Sequence, residues 1–287
     1  AVRALLIAAT GRLPLLLEGP PGVGKSMLAQ ALYGLLPDLE GAERDEVAAI
    51  ASAGGFDHRD PSRPPVRAPH HDLTVAGLIG GGPRLTPGEM TWAHRGLLIL
   101  DEIGEYRRDT LEALREPLER GVVDLARAGR SIQLPSAALV VATGNPCGCG
   151  ELEHPDASCR CTPAARRRGS LALSAPIRDR FALRLRLARP SSSLETLPAG
   201  TLSTLHARRR VSAMRHELDA RSSKERSSHL PVAVSRETAT GMERAGGRGG
   251  RHILAIARIC ALMNGGEDVT EVEIAEAMHL SGRVAAS

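Results

Sequence analysis

The stretch Glu18-Gly19-Pro20-Pro21-Gly22-Val23-Gly24-Lys25-Ser26 constrains this chain more than any other. It fits the pattern Gly-x4-Gly-Lys-Ser/Thr, and both flanks suit it. Leu13-Pro14-Leu15-Leu16-Leu17 is an apolar run of buried-strand length, and Met27, Leu28, Ala31, Leu32 and Leu35 recur at helical spacing until Pro37. A strand, a glycine-rich loop and a helix in that order predict an α/β fold of the phosphate-loop type with a parallel sheet. Glycines let backbone N–H groups curl around phosphate oxygens, and the helix N-terminus adds a positive dipole end. Gly19, Pro20, Pro21, Gly22, Val23, Gly24, Lys25, Ser26 and Met27 are therefore the expected nucleotide-binding residues. Lys25 would reach the β- and γ-phosphates of ATP, and the Ser26 hydroxyl would take a place on Mg²⁺.

Two further apolar runs end in polar residues. Gly96-Leu97-Leu98-Ile99-Leu100 leads into Asp101-Glu102, and Ala137-Ala138-Leu139-Val140-Val141-Ala142-Thr143 ends at Gly144-Asn145-Pro146. Such runs read as buried parallel strands, whose C-terminal edges are where doubly wound sheets place their ligands. Asp101 would hold Mg²⁺, largely through water. Glu102 would polarise the water that attacks the γ-phosphate, and Asn145 would orient it.

The rest of the chain is less sharply marked. Residues 2–9 look like the tail of a helix closed by Gly11, residues 38–70 read as loop-rich, and residues 73–90 as irregular, glycine-bearing backbone. Asp109 with Glu112 forms a capping-box pattern opening a helix that Pro117 should kink and Gly121 should close. Residues 122–127 and 131–134 flank Ala128-Gly129-Arg130 as a hairpin, with Arg127 and Arg130 near its tip. A linker is expected around 190–200 and helices beyond it. From Val232 the chain is helical again, with Cys260 on a buried face and a last helix capped by Thr270 and Glu273. This divides the chain into a nucleotide-binding core at 1–189, containing a Cys-rich loop at 146–162, then a linker with helices at 190–231 and a helical lid at 232–287.

Composition narrows the partners. A hydrophobic content of 42% with 24% charged residues is that of an ordinary globular protein. No apolar run approaches a membrane span and no basic-then-apolar leader opens the chain, so it reads as cytoplasmic and unconnected with membranes. Starting at Ala1 rather than Met, it also reads as a fragment. The net charge of +4 is unevenly placed: Arg160 to Arg189 holds nine arginines against one acid, Asp179. Phosphate contacts and plain solvated faces both fit such a cluster. With only five aromatic residues, any nucleic-acid contact would be to backbone phosphates rather than stacked bases. Cys147-x-Cys149 and Cys159-x-Cys161 suit a tetrahedral structural Zn²⁺ site, with His154 between the pairs as a further candidate.

Taken in order, "GPPGVGKSMLAQALYGLLPDL", "RAPHHDLTVAGLIGGG", "PGEMTWAHRGLLILDEIGEYRRDTLEALREPLERG", "ATGNPCGCG…CRCTP" and "IRDRF" resemble the magnesium-chelatase-like AAA+ ATPases of the YifB/ComM branch. The resemblance is strong over residues 1–187 and looser over 232–287. It implies a five-stranded parallel α/β core with a helical lid, working as a homo-oligomeric ring, usually a hexamer. It also implies Arg180 as an arginine finger reaching a neighbour's γ-phosphate, with Arg178 as fallback. Arg248 would be the in-cis sensor arginine of the lid, with Arg251 close by. The hairpin would line the ring pore. The implied activity is an ATP-driven DNA helicase of branch-migration type. The alternatives are a chelatase motor subunit remodelling a protein partner, or an ATP switch without turnover. Full-length members carry an N-terminal Lon-protease-like domain and an adenine-holding segment that do not occur here. His70-His71 sits in a family motif, where a structural role and a metal role are both open.

Overall fold

The computed structural model describes residues 1–54, 60–127, 129–147, 149, 159–166, 173–188, 203–227 and 246–283. The expected linker at 190–200, both domain division points and His154 lie outside these.

Five strands form one all-parallel sheet: β1 (Leu15–Glu18), β2 (Val66–Arg67), β5 (Leu97–Leu100), β8 (Leu139–Gly144) and β9 (Leu183–Arg186). Their order across the sheet is β2-β5-β8-β1-β9. The three apolar runs seen in the sequence are the three central strands. Their stretches Leu15–Leu17, Leu97–Leu100 and Leu139–Ala142 are apolar at every position because helices cover both faces. Leu15, Leu17, Leu97, Ile99, Leu139 and Val141 face one layer; Leu16, Leu98, Leu100, Val140 and Ala142 face the other.

The first layer contains α1 (Val2–Gly11), α2 (Lys25–Leu35), α10 (Thr204–Ser227), α11 (Gly246–Met263) and α12 (Glu271–Leu280). Ile253, Ile256, Ala257 and Cys260 of α11 share this core with α1 and the sheet, so the C-terminal helices and the sheet bury one apolar surface between them. Burial drives the Cys260 thiol up to about 12. The capping box at Thr270 and Glu273 is formed as expected. The second layer holds α4 (Val75–Ile79), α5 (Glu89–Trp92), α6 (Arg108–Glu112), α7 (Arg115–Arg120) and α9 (Ala175–Arg178), beside the short α8 (Pro163–Arg166) and two antiparallel ribbons. These are β3 (Gly80–Gly81) with β4 (Thr86–Pro87), and the expected hairpin of β6 (Val122–Arg127) with β7 (Arg130–Pro135). Among the described residues no helix is long and apolar enough to cross a membrane.

Several local expectations need correction. Residues 38–70 are not simply loop: α3 (Gly41–Gly54) occupies much of them. The prolines that suggested a loop all lie beyond residue 60, whereas 41–54 is rich in Ala and Glu, both good helix formers. Ion pairs tie α3 down, from Glu43 to Arg12 and Arg95 and from Glu46 to Arg95. Hydrogen bonds from Arg95 first and then from the His94 ring hold the Glu46 carboxyl down to about 2. Helix α1 is closed by Arg12 in the left-handed region (φ 49°), not by Gly11. Gly11 is instead where Ile259 packs, with its Cδ1 only 2.6 Å from the place a Cβ would occupy. Asp109 does not cap a helix; Arg107 stands at that position and Asp109 pairs with it within the first turn. Pro117 lies in the first turn of α7; it lacks the N–H that would bond to Ala113, and the helix is interrupted at Ala113–Leu114, between α6 and α7, rather than kinked. Gly121 closes α7 at φ 67°, as its sequence position predicts.

Candidate functional site

Strand register brings the site together. Leu100 pairs with Ala142, which sets Asp101 level with Thr143. Glu18 pairs with Gly144, which sets Gly19 level with Asn145. Residues from three strand ends therefore meet at one edge of the sheet.

The loop after β1 begins with Gly19, where a Cβ would lie 2.5 Å from the carbonyl oxygen of Leu187, the residue that follows the neighbouring strand β9. Gly22 and Gly24 have φ of 81° and 86°, and nothing lies within 4 Å of a Cβ built on Gly22. The space that a phosphate would need is thus open on that side. Met27 is 67% exposed at the loop's exit, an apolar surface beside the loop.

Lys25 Nζ donates to the carbonyl oxygens of Gly19 (2.9 Å) and Pro20 (2.8 Å) and to Asn145 Oδ1 (2.9 Å). All three ammonium donors are used, and the lysine joins the loop to the end of β8. Burial lowers its pKa, while the charges of Asp101 and Glu102 act in the opposite sense. Ser26 Oγ donates to Asp101 Oδ1 at 3.0 Å. A hydroxyl and a carboxylate within one hydrogen bond form an all-oxygen donor pair, which suits the hard Mg²⁺ ion.

Thr143 completes the cluster, and sequence reasoning did not single it out. Its side chain is almost fully buried; the hydroxyl donates to Asp101 Oδ1 and accepts the Glu102 N–H at 3.0 Å. Glu102 itself has φ 52°, a left-handed conformation that costs a non-glycine residue roughly 1 kcal/mol or more. Thr143 thus pins the Asp101 carboxylate and the strained Glu102 backbone with one hydroxyl. Its only signal in the sequence was a lone Thr ending an apolar run.

The predicted arginines lie elsewhere. Arg180 sits three residues before the N-terminal end of β9, across the sheet from the phosphate loop at the C-terminal end of β1. Arg180 Nε donates to the Arg115 carbonyl (2.6 Å), Nη1 to the Pro176 carbonyl (2.6 Å), and Nη2 to Glu119 Oε2 (2.8 Å). Arg248, near the start of α11, donates to Glu119 Oε1 at 2.7 Å. The structure therefore brings Arg248 beside Arg180 and leaves Arg251 exposed. Arg178 Nη2 donates to the Leu173 carbonyl at 3.3 Å. Arg127 and Arg130 are exposed and pair across the last rung of the hairpin, next to Gly129 at φ 77°.

The four cysteines do converge. Cys147 Sγ lies 3.4 Å from Cys149 Sγ and 3.7 Å from Cys159 Sγ, Cys149 and Cys159 sulfurs are 3.6 Å apart, and the Cys149 N–H points to Cys161 Sγ at 3.3 Å. These separations are far beyond a disulfide's ~2.05 Å. They match the edge of about 3.8 Å that four sulfurs have around a tetrahedral ion with bonds of about 2.3 Å. Contact with Cys149 above all raises the Cys161 thiol to about 11. The four sulfurs are close enough to bind one metal ion. His70, His71 and Asp72 form a second, more exposed group, with the two rings 4.0 Å apart.

Residues 1–195 match the family model described as magnesium chelatase, subunit ChlI. An uncharacterized protein of Mycobacterium tuberculosis is 44% identical over 216 residues, covering 74% of this chain and 42% of that protein. The uncharacterized protein YifB of Escherichia coli is 40% identical over 226 residues, covering 77% of this chain and 44% of its own length. Competence protein ComM of Haemophilus influenzae is 39% identical over 219 residues, covering 76% and 41% respectively. The chain spans less than half the length of these curated relatives.

Thr143→Val keeps the side-chain shape but leaves the Glu102 N–H without its acceptor. It should lower the unfolding free energy by about 1–3 kcal/mol in a denaturant titration, and Thr143→Ser should regain most of it. Equal stability of the valine and wild-type proteins would mean that this hydroxyl does not hold Glu102.

Proposed function

The chain belongs to the magnesium chelatase ChlI family, and on that premise we propose that it is an ATP-hydrolysing AAA+ motor that works as a homo-oligomeric ring, a hexamer, on DNA. The observation that carries this reading is the cluster in which Lys25 meets Asn145 and Asp101 meets both Ser26 and Thr143, at three adjacent strand ends. The loop N–H groups and Lys25 would hold the triphosphate, with Lys25 exchanging its carbonyl partners for phosphate oxygens. Ser26 and Asp101 would hold Mg²⁺, which supplies charge neutralisation across the β- and γ-phosphates. Glu102 would accept a proton from water as that water attacks the γ-phosphorus. The bond to the bridging oxygen breaks, and ADP and phosphate leave. Asn145 would orient the same water. Arg180 lies across the sheet from its own loop, a position from which it would reach a neighbouring copy's site; Arg248, expected as the in-cis sensor, shares Glu119 with it and in this proposal serves that neighbouring site instead.

Support for DNA comes from the hairpin tip, where Arg127 and Arg130 are both exposed, and from the shortage of aromatic residues, which favours backbone phosphates over bases. Remodelling of a protein partner, as in a chelatase motor, is the second reading; the name of the matching family favours it. Steady-state ATPase assays with and without single-stranded and forked DNA separate the two. The DNA motor predicts several-fold stimulation that falls steeply with salt and is lost in the Arg127→Ala/Arg130→Ala double variant. Turnover indifferent to DNA would favour the protein-remodelling motor, and no turnover at all would favour a switch.

We also propose that Cys147, Cys149, Cys159 and Cys161 hold a structural Zn²⁺. Purified protein should carry about one zinc per chain, with four thiols that resist alkylation until a strong chelator is added. Zinc-free protein whose four thiols alkylate at once would contradict this.

A further inference from the structure

Glu119 lies in α7, and neither the phosphate-loop pattern nor the carboxylates after β5 point to it. Its two oxygens are divided between two arginines far apart in the chain: Oε2 takes Arg180 Nη2 at 2.8 Å and Oε1 takes Arg248 Nη2 at 2.7 Å. The arginines are close enough that the charge of Arg248, after burial, helps to lower the pKa of Arg180. Without an anion between them the two guanidiniums would repel. Arg180 is also gripped by two backbone carbonyls and its side chain is 8% exposed, whereas that of Arg248 is 32% exposed. Glu119 therefore stands on a fixed post, Arg180, and holds a more accessible cation, Arg248. On the other side, α7 runs through Gly121 into β6, and the next residue, Arg120, is paired with Asp124 on that strand.

We propose that Glu119 is a positioning residue that sets Arg180 and Arg248 as one cationic pair, joining helix α11 to the core so that the pair meets the triphosphate of a second copy in a fixed pose. This rests on the ring-motor reading above. It adds to that reading a carboxylate that is itself distant from its own phosphate loop yet controls turnover.

The test uses Glu119→Gln in the full chain, which keeps the shape and removes the charge. Three readouts are taken: amide hydrogen exchange in α11 and in α2, ATP affinity with kcat, and turnover on mixing with Lys25→Ala protein. The expected result is faster exchange in α11 but not in α2, and ATP affinity within about twofold of wild type, since the nucleotide loop is at the other sheet edge. With the arginines set off their pose, kcat should fall about tenfold to a hundredfold. Lys25→Ala copies carry an intact pair, so adding them in excess should raise turnover per Glu119→Gln site. Unchanged α11 exchange overturns the proposal outright. Altered exchange with unchanged kcat, or with no recovery on mixing, reduces Glu119 to a packing residue and overturns it too. If the wild-type chain itself does not turn over ATP, the motor reading fails, and the α11 exchange still decides whether Glu119 makes the joint. Arg248→Gln breaks the same ion pair from the other side and serves where Glu119→Gln folds poorly.

Discussion

Leu17 pairs with Thr143 on one side of β8, while on the other Leu100 pairs with Ala142, and the chemistry of the site depends on these two ladders keeping their register. A slip of one residue would turn every side chain of a strand to the opposite face, exchanging the two apolar sets that the helical layers cover. It would also part Asp101 from Thr143 and Gly19 from Asn145. Burial on both faces of the sheet thus fixes the register, and the register assembles the polar cluster. The apolar core and the polar edge are two results of one pairing.

Charge is handled differently at the two edges of the sheet. At the C-terminal edge, the half-buried Lys25 bonds two backbone carbonyls and Asn145, and the Asp101 carboxylate takes the hydroxyls of Ser26 and Thr143. A triphosphate with its cation would replace those internal partners rather than fill an unprepared space. At the opposite edge two arginines share one carboxylate. That arrangement is electrostatically unequal, two cations to one anion, and suits a surface awaiting further negative charge.

Much of this was legible beforehand, and the exceptions have physical causes. The central strands announced themselves as unbroken apolar runs because both faces are buried. The edge strands did not: β2 has only two residues, and the alternation Leu183-Arg184-Leu185-Arg186 of β9 was hidden within an arginine-rich stretch. Helix α3 was obscured by prolines that follow it. The hairpin and the last helix carried turn and capping chemistry at the right offsets, and both formed. Lys25 and Ser26 could be placed beside the sheet edge from the Gly-x4-Gly-Lys-Ser pattern, and Asp101 and Asn145 because each follows an apolar run. Thr143 was not, since a hydroxyl's role depends on which backbone it meets. The pairing of Arg180 and Arg248 with Glu119 spans 61 and 129 residues, a separation that no local pattern encodes.

The proposed chemistry requires the carboxylate after β5 to act on water held over the phosphate loop. Glu102→Gln measures this most directly, because the change removes a proton acceptor while the Thr143 hydroxyl still holds the backbone. MgATP binding and single-turnover hydrolysis should be compared with those of the wild-type chain. The account predicts binding within a few-fold of wild type and hydrolysis slower by about a hundredfold or more. Hydrolysis at the wild-type rate would remove Glu102 from the chemistry and contradict the assignment of this sheet edge as the site of turnover.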